Sequence, residues 1–278
     1  MIGRTEFFAV VTAAVDDLLE NGFDSQERLD MWLERIQAAA RRALISERDL
    51  TRTLQNTLGQ IYERTTRTAK LIKAHPGVSQ FTIELIRPKL RAELDRRILA
   101  SANLIKLNRD ASIARTLKRF AGWATSIPIG GTEVGQRKET KELIRKGISA
   151  LPFEERRVII DQGHKLTAAV NDIVAQDGGA IALIWHHVME RGDGYDPRPE
   201  HVARNGKIYV LRDNWAIKEG LMKLAGAIYY DTITAVSEEV YCRCTAEYLY
   251  ALRDLPAEML TAKGRLALAS ARKKMGMM

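Results

Sequence analysis

Cysteine is scarce in this chain: its 278 residues include two, Cys242 and Cys244, with a single arginine between them. Two thiols at i and i+2 do not easily reach disulfide geometry. The sequence therefore excludes a disulfide framework, which fits a protein made in a reducing cytoplasm. Long apolar runs are also missing. Met1-Ile2-Gly3-Arg4-Thr5-Glu6 leads into an amphipathic segment interrupted by Asp16 and Asp17, which predicts neither a signal peptide nor a membrane span. The expectation is a soluble chain with no membrane partner. Phosphate-cradling glycine loops are absent too, because Gly130-Gly131 and Gly178-Gly179 lack the following Lys-Ser/Thr or further spaced glycines. No Gly-x-Ser-x-Gly nucleophile turn occurs, and there is no clean internal repeat or low-complexity tract.

Apolar residues make up 46% of the chain and charged residues 28%, the balance of a globular protein with a real core. The formal net charge is +8 and the isoelectric point about 9.5. That surplus suits a polyanion such as DNA, an acidic protein partner, or a merely basic surface.

The first two-thirds reads as successive helices. Phe7, Phe8, Val11, Val15, Leu18 and Leu19 recur at helical spacing and stop at Asn21-Gly22. Ser25 caps a second helix with Leu29, Trp32, Leu33, Ile36, Ala40 and Leu44 on one face. Ser46 caps a third, running to about Ala74, where His75-Pro76-Gly77 breaks it. Pro88 should kink or split a helix from about Ser79 to Leu107; Ala111 to Thr125 forms the next. Ser126-Ile127-Pro128-Ile129-Gly130-Gly131 reads as a linker. Helices from Lys138 to Ser149 and from Phe153 to Gln176 follow. Beyond Gly178-Gly179 the pattern changes. An apolar run from Ala180 to Met189 ends in a Gly192-Asp193-Gly194 turn, Lys207 to Leu211 reads as a strand after Asn205-Gly206, and Ala235 to Cys244 as a closing strand. The predicted fold is mostly α: a long-helix N-terminal region (1–130), a small α+β domain (131–255) and a basic helical tail (256–278).

The chemistry-bearing residues gather between Trp185 and Cys244: Trp185, then Arg198-Pro199-Glu200-His201, then Asn205-Gly206-Lys207, and last Cys242-Arg243-Cys244. On a strand, positions i and i+2 share a face, so both thiols can address one partner, with His201 the natural candidate. This order of residues resembles the phage head morphogenesis, or minor head, protein family of the Mu F-like and SPP1-like proteins. In that family a Trp-containing segment leads to an Arg-x-x-His element, a Gly turn and a closing Cys-Arg-Cys. The resemblance covers roughly residues 150 to 250 and singles out Trp185, Arg198, His201, Gly206, Cys242, Arg243 and Cys244. The chain departs from the pattern at Asp196 to Pro199, where many relatives carry a Cys-x-x-Cys, and at Tyr241, where Asn is usual. The resemblance implies a non-enzymatic virion protein, packaged in several copies at the capsid interior or portal vertex. Its implied partners are the portal protein, other head components and viral DNA, and it would influence genome ejection.

Two readings of the Cys and His residues stand side by side. Cys242, Cys244 and His201 suit zinc, which favours thiolate and imidazole, with Asp196 or His187 as a fourth ligand. Alternatively, the cysteines pack as small buried residues while His201 and Arg198 hold loops through backbone carbonyls. A different class, a metal-dependent nuclease or DNA-binding protein of a mobile element, would use His186, His187 and His201. Arg64, Arg67, Arg96 and Arg97 on the N-terminal helices are expected to be exposed and to steer an acidic partner.

Overall fold

The computed structural model describes residues 2–132, 137–188 and 198–274. The expected Gly192-Asp193-Gly194 turn and Asp196 lie outside the described residues. The helical periodicities become α1 (Ile2–Asn21), α2 (Gln26–Arg42), α3 (Glu47–Thr65), α4 (Thr68–Ala74), α5 (Gln80–Ala124) and α6 (Arg137–Asp177). Both expected caps form. Ser25 Oγ accepts from the Arg28 N–H at 3.3 Å, and Ser46 Oγ accepts from the Asp49 N–H at 3.1 Å, each satisfying a donor the first turn leaves open.

Three expected breaks fall differently. The third helix stops early, at Thr65, where the Thr66 N–H (2.8 Å) and hydroxyl (2.9 Å) both close its last turn on the Tyr62 carbonyl, and α4 starts afresh at Thr68. Pro88 and Pro152, by contrast, lie inside uninterrupted helices. A helix-interior proline costs about 3 kcal/mol, whereas each fully buried Leu or Ile contributes about 1.5–3 kcal/mol. Pro88 sits between the buried Ile86 and Leu90, and Pro152 follows the buried Ile148 and Leu151. Packing on the inner face outweighs the lost hydrogen bond.

The chain forms two compact units, 1–56 with 98–159 and 57–97 with 160–278. Each draws on residues from both sides of Gly131, so they interleave the segments 1–130 and 131–255. In the first unit, Phe7, Val11, Leu18, Ile36, Phe120, Ile144 and Leu151 form the core. The Ser126–Gly131 segment is a docked turn there: the Gly131 N–H reaches the Pro128 carbonyl at 3.1 Å and the Thr132 N–H reaches the Leu19 carbonyl at 3.0 Å. At Gly131, φ is +81° and a Cβ would lie 2.2 Å from the Leu19 carbonyl oxygen, so only glycine fits.

The second unit holds a three-stranded antiparallel sheet ordered β2-β1-β3, from β1 (Ala182–His186), β2 (Ile208–Val210) and β3 (Thr245–Leu249). Its short helices are α7 (Pro199–Arg204) and α8 (Trp215–Lys218), and α9 (Ala262–Lys274) carries the basic tail. Side chains alternate across β1. Leu183 and Trp185 join Tyr209, Tyr248 and both cysteines on one face, while Ala182 joins Val210, Leu249 and Leu260 on the other. The expected strand over Ala235 to Cys244 is corrected: β3 begins after Cys244. Ser237 and Tyr241 adopt positive φ values of 60° and 61°, and such left-handed residues curl the segment into a loop. No helix among the described residues is long and apolar enough to cross a membrane.

Candidate metal centre

β1 sets the site by alternation. Trp185 points inward and is fully buried; the next residue, His186, points outward and meets Glu247 at 3.2 Å. The Asn205-Gly206 turn clamps the strand end: the Gly206 N–H donates to the Trp185 carbonyl at 2.8 Å and the His187 N–H to Asn205 Oδ1 at 2.9 Å. Gly206 has φ +74°, a conformation glycine adopts without a Cβ penalty. Pro199, just inside the start of α7, fixes the first turn of that helix. Two positions on, His201 faces the core and is fully buried.

His201 Nδ1 lies 3.5 Å from Cys242 Sγ and 3.6 Å from Cys244 Sγ. The ligand atoms of these three buried residues all fall within 4.8 Å of one another. The thiols do face one partner, but from a loop rather than a strand. That loop is tied down on several sides. The Tyr241 N–H donates to Asp161 Oδ1 at 2.6 Å, Ser237 Oγ to the Cys244 carbonyl at 3.2 Å, and the Cys242 N–H to the Glu239 carbonyl at 3.1 Å.

Glu239 is the residue that the sequence reading missed. Its Oε1 meets His201 Nε2 at 3.3 Å and accepts from the Thr234 hydroxyl at 3.1 Å; its Oε2 pairs with Arg198 Nε at 2.7 Å. Arg198 also donates to the Val240 carbonyl at 2.9 Å. Burial pushes the Glu239 carboxyl up, but hydrogen bonds from Thr234 and His201 and the charge of Arg198 hold it below its ordinary range. A carboxylate at Nε2 makes that nitrogen the donor and leaves the lone pair on Nδ1 facing the sulfurs. The signal available in the sequence was an acidic pair, Glu238-Glu239, just ahead of the cysteines.

The two thiols differ. A hydrogen bond from the Cys244 thiol, with the backbone N–H groups of Cys244 and Ser237 and the nearby His201, outweighs burial and lowers the Cys242 pKa. That same pairing pushes Cys244 up, and burial adds to it. Two sulfurs beside an imidazole nitrogen are the donor chemistry of a soft, thiophilic cation.

Around the trio lie Trp185, Arg204 and His187. The Trp185 ring stands edge-on to His201 at 5.5 Å, with the Arg204 guanidinium 5.1 Å from the Trp185 ring centre. His187 is buried, its Nδ1 3.5 Å from Cys244 Sγ. Arg243 is absent from the set of mutually close ligand atoms and, with Cys244, His164, Thr167, Asn171 and Thr245, lines a cavity of about 110 Å³. Of the residues singled out in the sequence, Trp185, Arg198, His201, Cys242 and Cys244 therefore meet in one place. Gly206 supports it from the turn, Arg243 and His186 lie outside it, and Asp196 is outside the described residues.

A second buried polar group, on His75, went unread because His75-Pro76-Gly77 looked like a helix breaker alone. His75 lies 2.7 Å from the Tyr250 hydroxyl and 3.0 Å from Asn171 Oδ1. Comparison of the chain with protein-family models, with curated proteins and with solved structures returned no match.

Proposed function

We propose that this chain is a minor head protein of a tailed phage. In this reading it associates with the portal protein and other head components during assembly, enters the particle in several copies and influences genome ejection. We further propose that His201, Cys242 and Cys244 hold a zinc ion joining α7 to the cysteine loop. One observation carries the reading: Trp185, His201, Cys242 and Cys244, drawn from separate stretches of chain, meet in one buried place, with Arg198 at its rim tied to Glu239 and the Val240 carbonyl. These are the residues on which the resemblance rests.

The donor set fits the metal. When bound, zinc would supply a cross-link whose binding energy is folding energy. His201 would give Nδ1 while Glu239 holds Nε2, and Cys242 and Cys244 would give their sulfurs. A nuclease would need water and a phosphodiester at the ion. His201 is fully buried and His186 is turned to Glu247, so the geometry favours holding the fold together.

The head role is tested in cells producing the phage head, by tagging the full chain and identifying what co-purifies and what enters particles. Portal protein in the eluate and several copies per head are expected. A chain absent from particles and from portal complexes sinks the proposal. The metal is tested by elemental analysis, with about one equivalent of zinc expected and a lower melting temperature after chelation.

A further inference from the structure

We propose that His187 is the fourth ligand, closing the centre as a two-cysteine, two-histidine structural site. This rests on the zinc reading above. His187 is the first residue after β1, it is buried, and its Nδ1 lies 3.5 Å from Cys244 Sγ. The two separations from His201 Nδ1 to the sulfurs are 3.5 and 3.6 Å. With zinc–sulfur and zinc–nitrogen bonds of about 2.3 and 2.05 Å, the sulfur–nitrogen edge of a tetrahedron is about 3.6 Å. Three sulfur–nitrogen edges therefore already have the length a tetrahedral ion imposes.

The ligand atoms of His201, Cys242 and Cys244 lie mutually within 4.8 Å, as do those of Glu200, His201 and Glu239 on the other side of the ring, and His187 would join the cysteines from the Cys244 side. Closing the shell needs its ring to swing toward Cys242 and His201. The swing leaves the backbone in place, because Asn205 Oδ1 holds the His187 N–H. The competing donors are poorly placed. Glu239 meets His201 at Nε2, the opposite side of the ring from the sulfurs, and is engaged by Arg198 and Thr234. A shell filled by four side chains leaves no exchangeable water, so the centre would hold β1, α7 and the cysteine loop together and would not hydrolyse a substrate.

The test uses full-length protein stripped of metal and loaded with cobalt(II) alone. Wild type should show intense tetrahedral ligand-field bands and sulfur-to-cobalt charge transfer, unaltered by azide. His187→Ala should bind cobalt at least about tenfold more weakly in competition with a chelator, with weaker bands that azide shifts. His187→Cys should restore affinity and move the bands toward a three-sulfur centre, which separates ligation from packing if the alanine variant folds poorly. Azide-sensitive bands in wild type, or an alanine variant matching wild type in spectrum and affinity, would overturn the assignment of His187. Cobalt binding lost in His201→Ala but present in wild type supports the parent site independently. Failure of wild type to bind cobalt would remove both readings.

Discussion

A buried imidazole must have each nitrogen assigned, and at His201 a carboxylate makes the assignment. Glu239 at Nε2 fixes the tautomer, so its removal leaves the ring free to turn. Glu239→Ala is expected to weaken metal binding by about 10–100-fold, the usual effect of losing such a partner, and Glu239→Gln to lose less because its amide oxygen still accepts. Chelator competition measures both; equal affinity in Glu239→Ala would show that the carboxylate does not orient the ring. Two carboxyls elsewhere in the same unit respond to pH in opposite senses. Burial pushes Glu93 up, but hydrogen bonds from Arg96 and Arg97 bring it below its ordinary 4.5. Its contribution is present above that value and is lost as pH falls through the depressed pKa. Asp172 is raised above 3.8 by burial, against hydrogen bonds from Gln176 and Tyr248. The folded state then holds its proton more tightly, and stability falls as pH rises from 3.8 through the raised value. Glu93→Gln should therefore flatten the acid limb of the stability profile, and Asp172→Asn should remove a decline on going toward neutrality. Urea midpoints across pH 3–7 would read both signs, and unchanged slopes would refute the linkage.

At the scale of elements, the two prolines separate local preference from packing. Pro88 and Pro152 are both solvent-exposed within their helices, so their rings contribute little burial. Replacing Pro152 by Ala should restore a helix-compatible residue worth about 3 kcal/mol, less the 0.4–1 kcal/mol or so that proline gains by stiffening the unfolded chain. The net expectation is a stabilisation of about 2 kcal/mol, seen as a higher urea midpoint; a lower midpoint would mean that the ring itself packs. The same contrast explains how far the fold was legible. Ser25, Ser46 and the Asn205-Gly206 turn act within a few residues, so their chemistry shows in the sequence. Unbroken α5 and α6 depend on Ile86, Leu90, Ile148 and Leu151 being buried by distant residues, which no local pattern announces. The cysteine loop was read as a strand because its bend comes from positive φ at Ser237 and Tyr241, residue types that seldom adopt it. His201, Cys242 and Cys244 were legible as candidate ligands by residue type. Glu239 was not, because its role exists only once α7 faces the loop.

For the whole molecule, the two compact units limit how the proposed assembly role can be divided. A chain starting at Gly131 would lack Thr57–Arg97, which belongs to the unit holding the cysteines and histidines, so that fragment is expected not to fold and cannot report on partners. The intact chain can, through its response to salt. Its net charge of +8 favours DNA, and Arg64, Arg67 and Arg96 are exposed as expected, yet two of the four arginines expected to steer a partner are already paired within the chain. Arg96 and Arg97 both pair with Glu93 at 2.7 Å, and Arg97 keeps only 16% of its side chain exposed. Large apolar side chains, by contrast, lie open, with Phe81 and Leu85 on α5 at 77% and 69% exposure and Phe153 on α6 at 63%. Apolar contact is little weakened by salt, whereas each phosphate neutralised on DNA releases counterion and steepens the salt dependence. A portal complex of the full-length protein should therefore survive a rise from about 50 to 200 mM salt, while DNA binding through six or more phosphates would drop by about a thousandfold or more. Paired titrations on purified portal and on duplex DNA separate the two. A portal affinity falling as steeply as the DNA affinity would place the contact on the basic side chains and not on the exposed apolar ones.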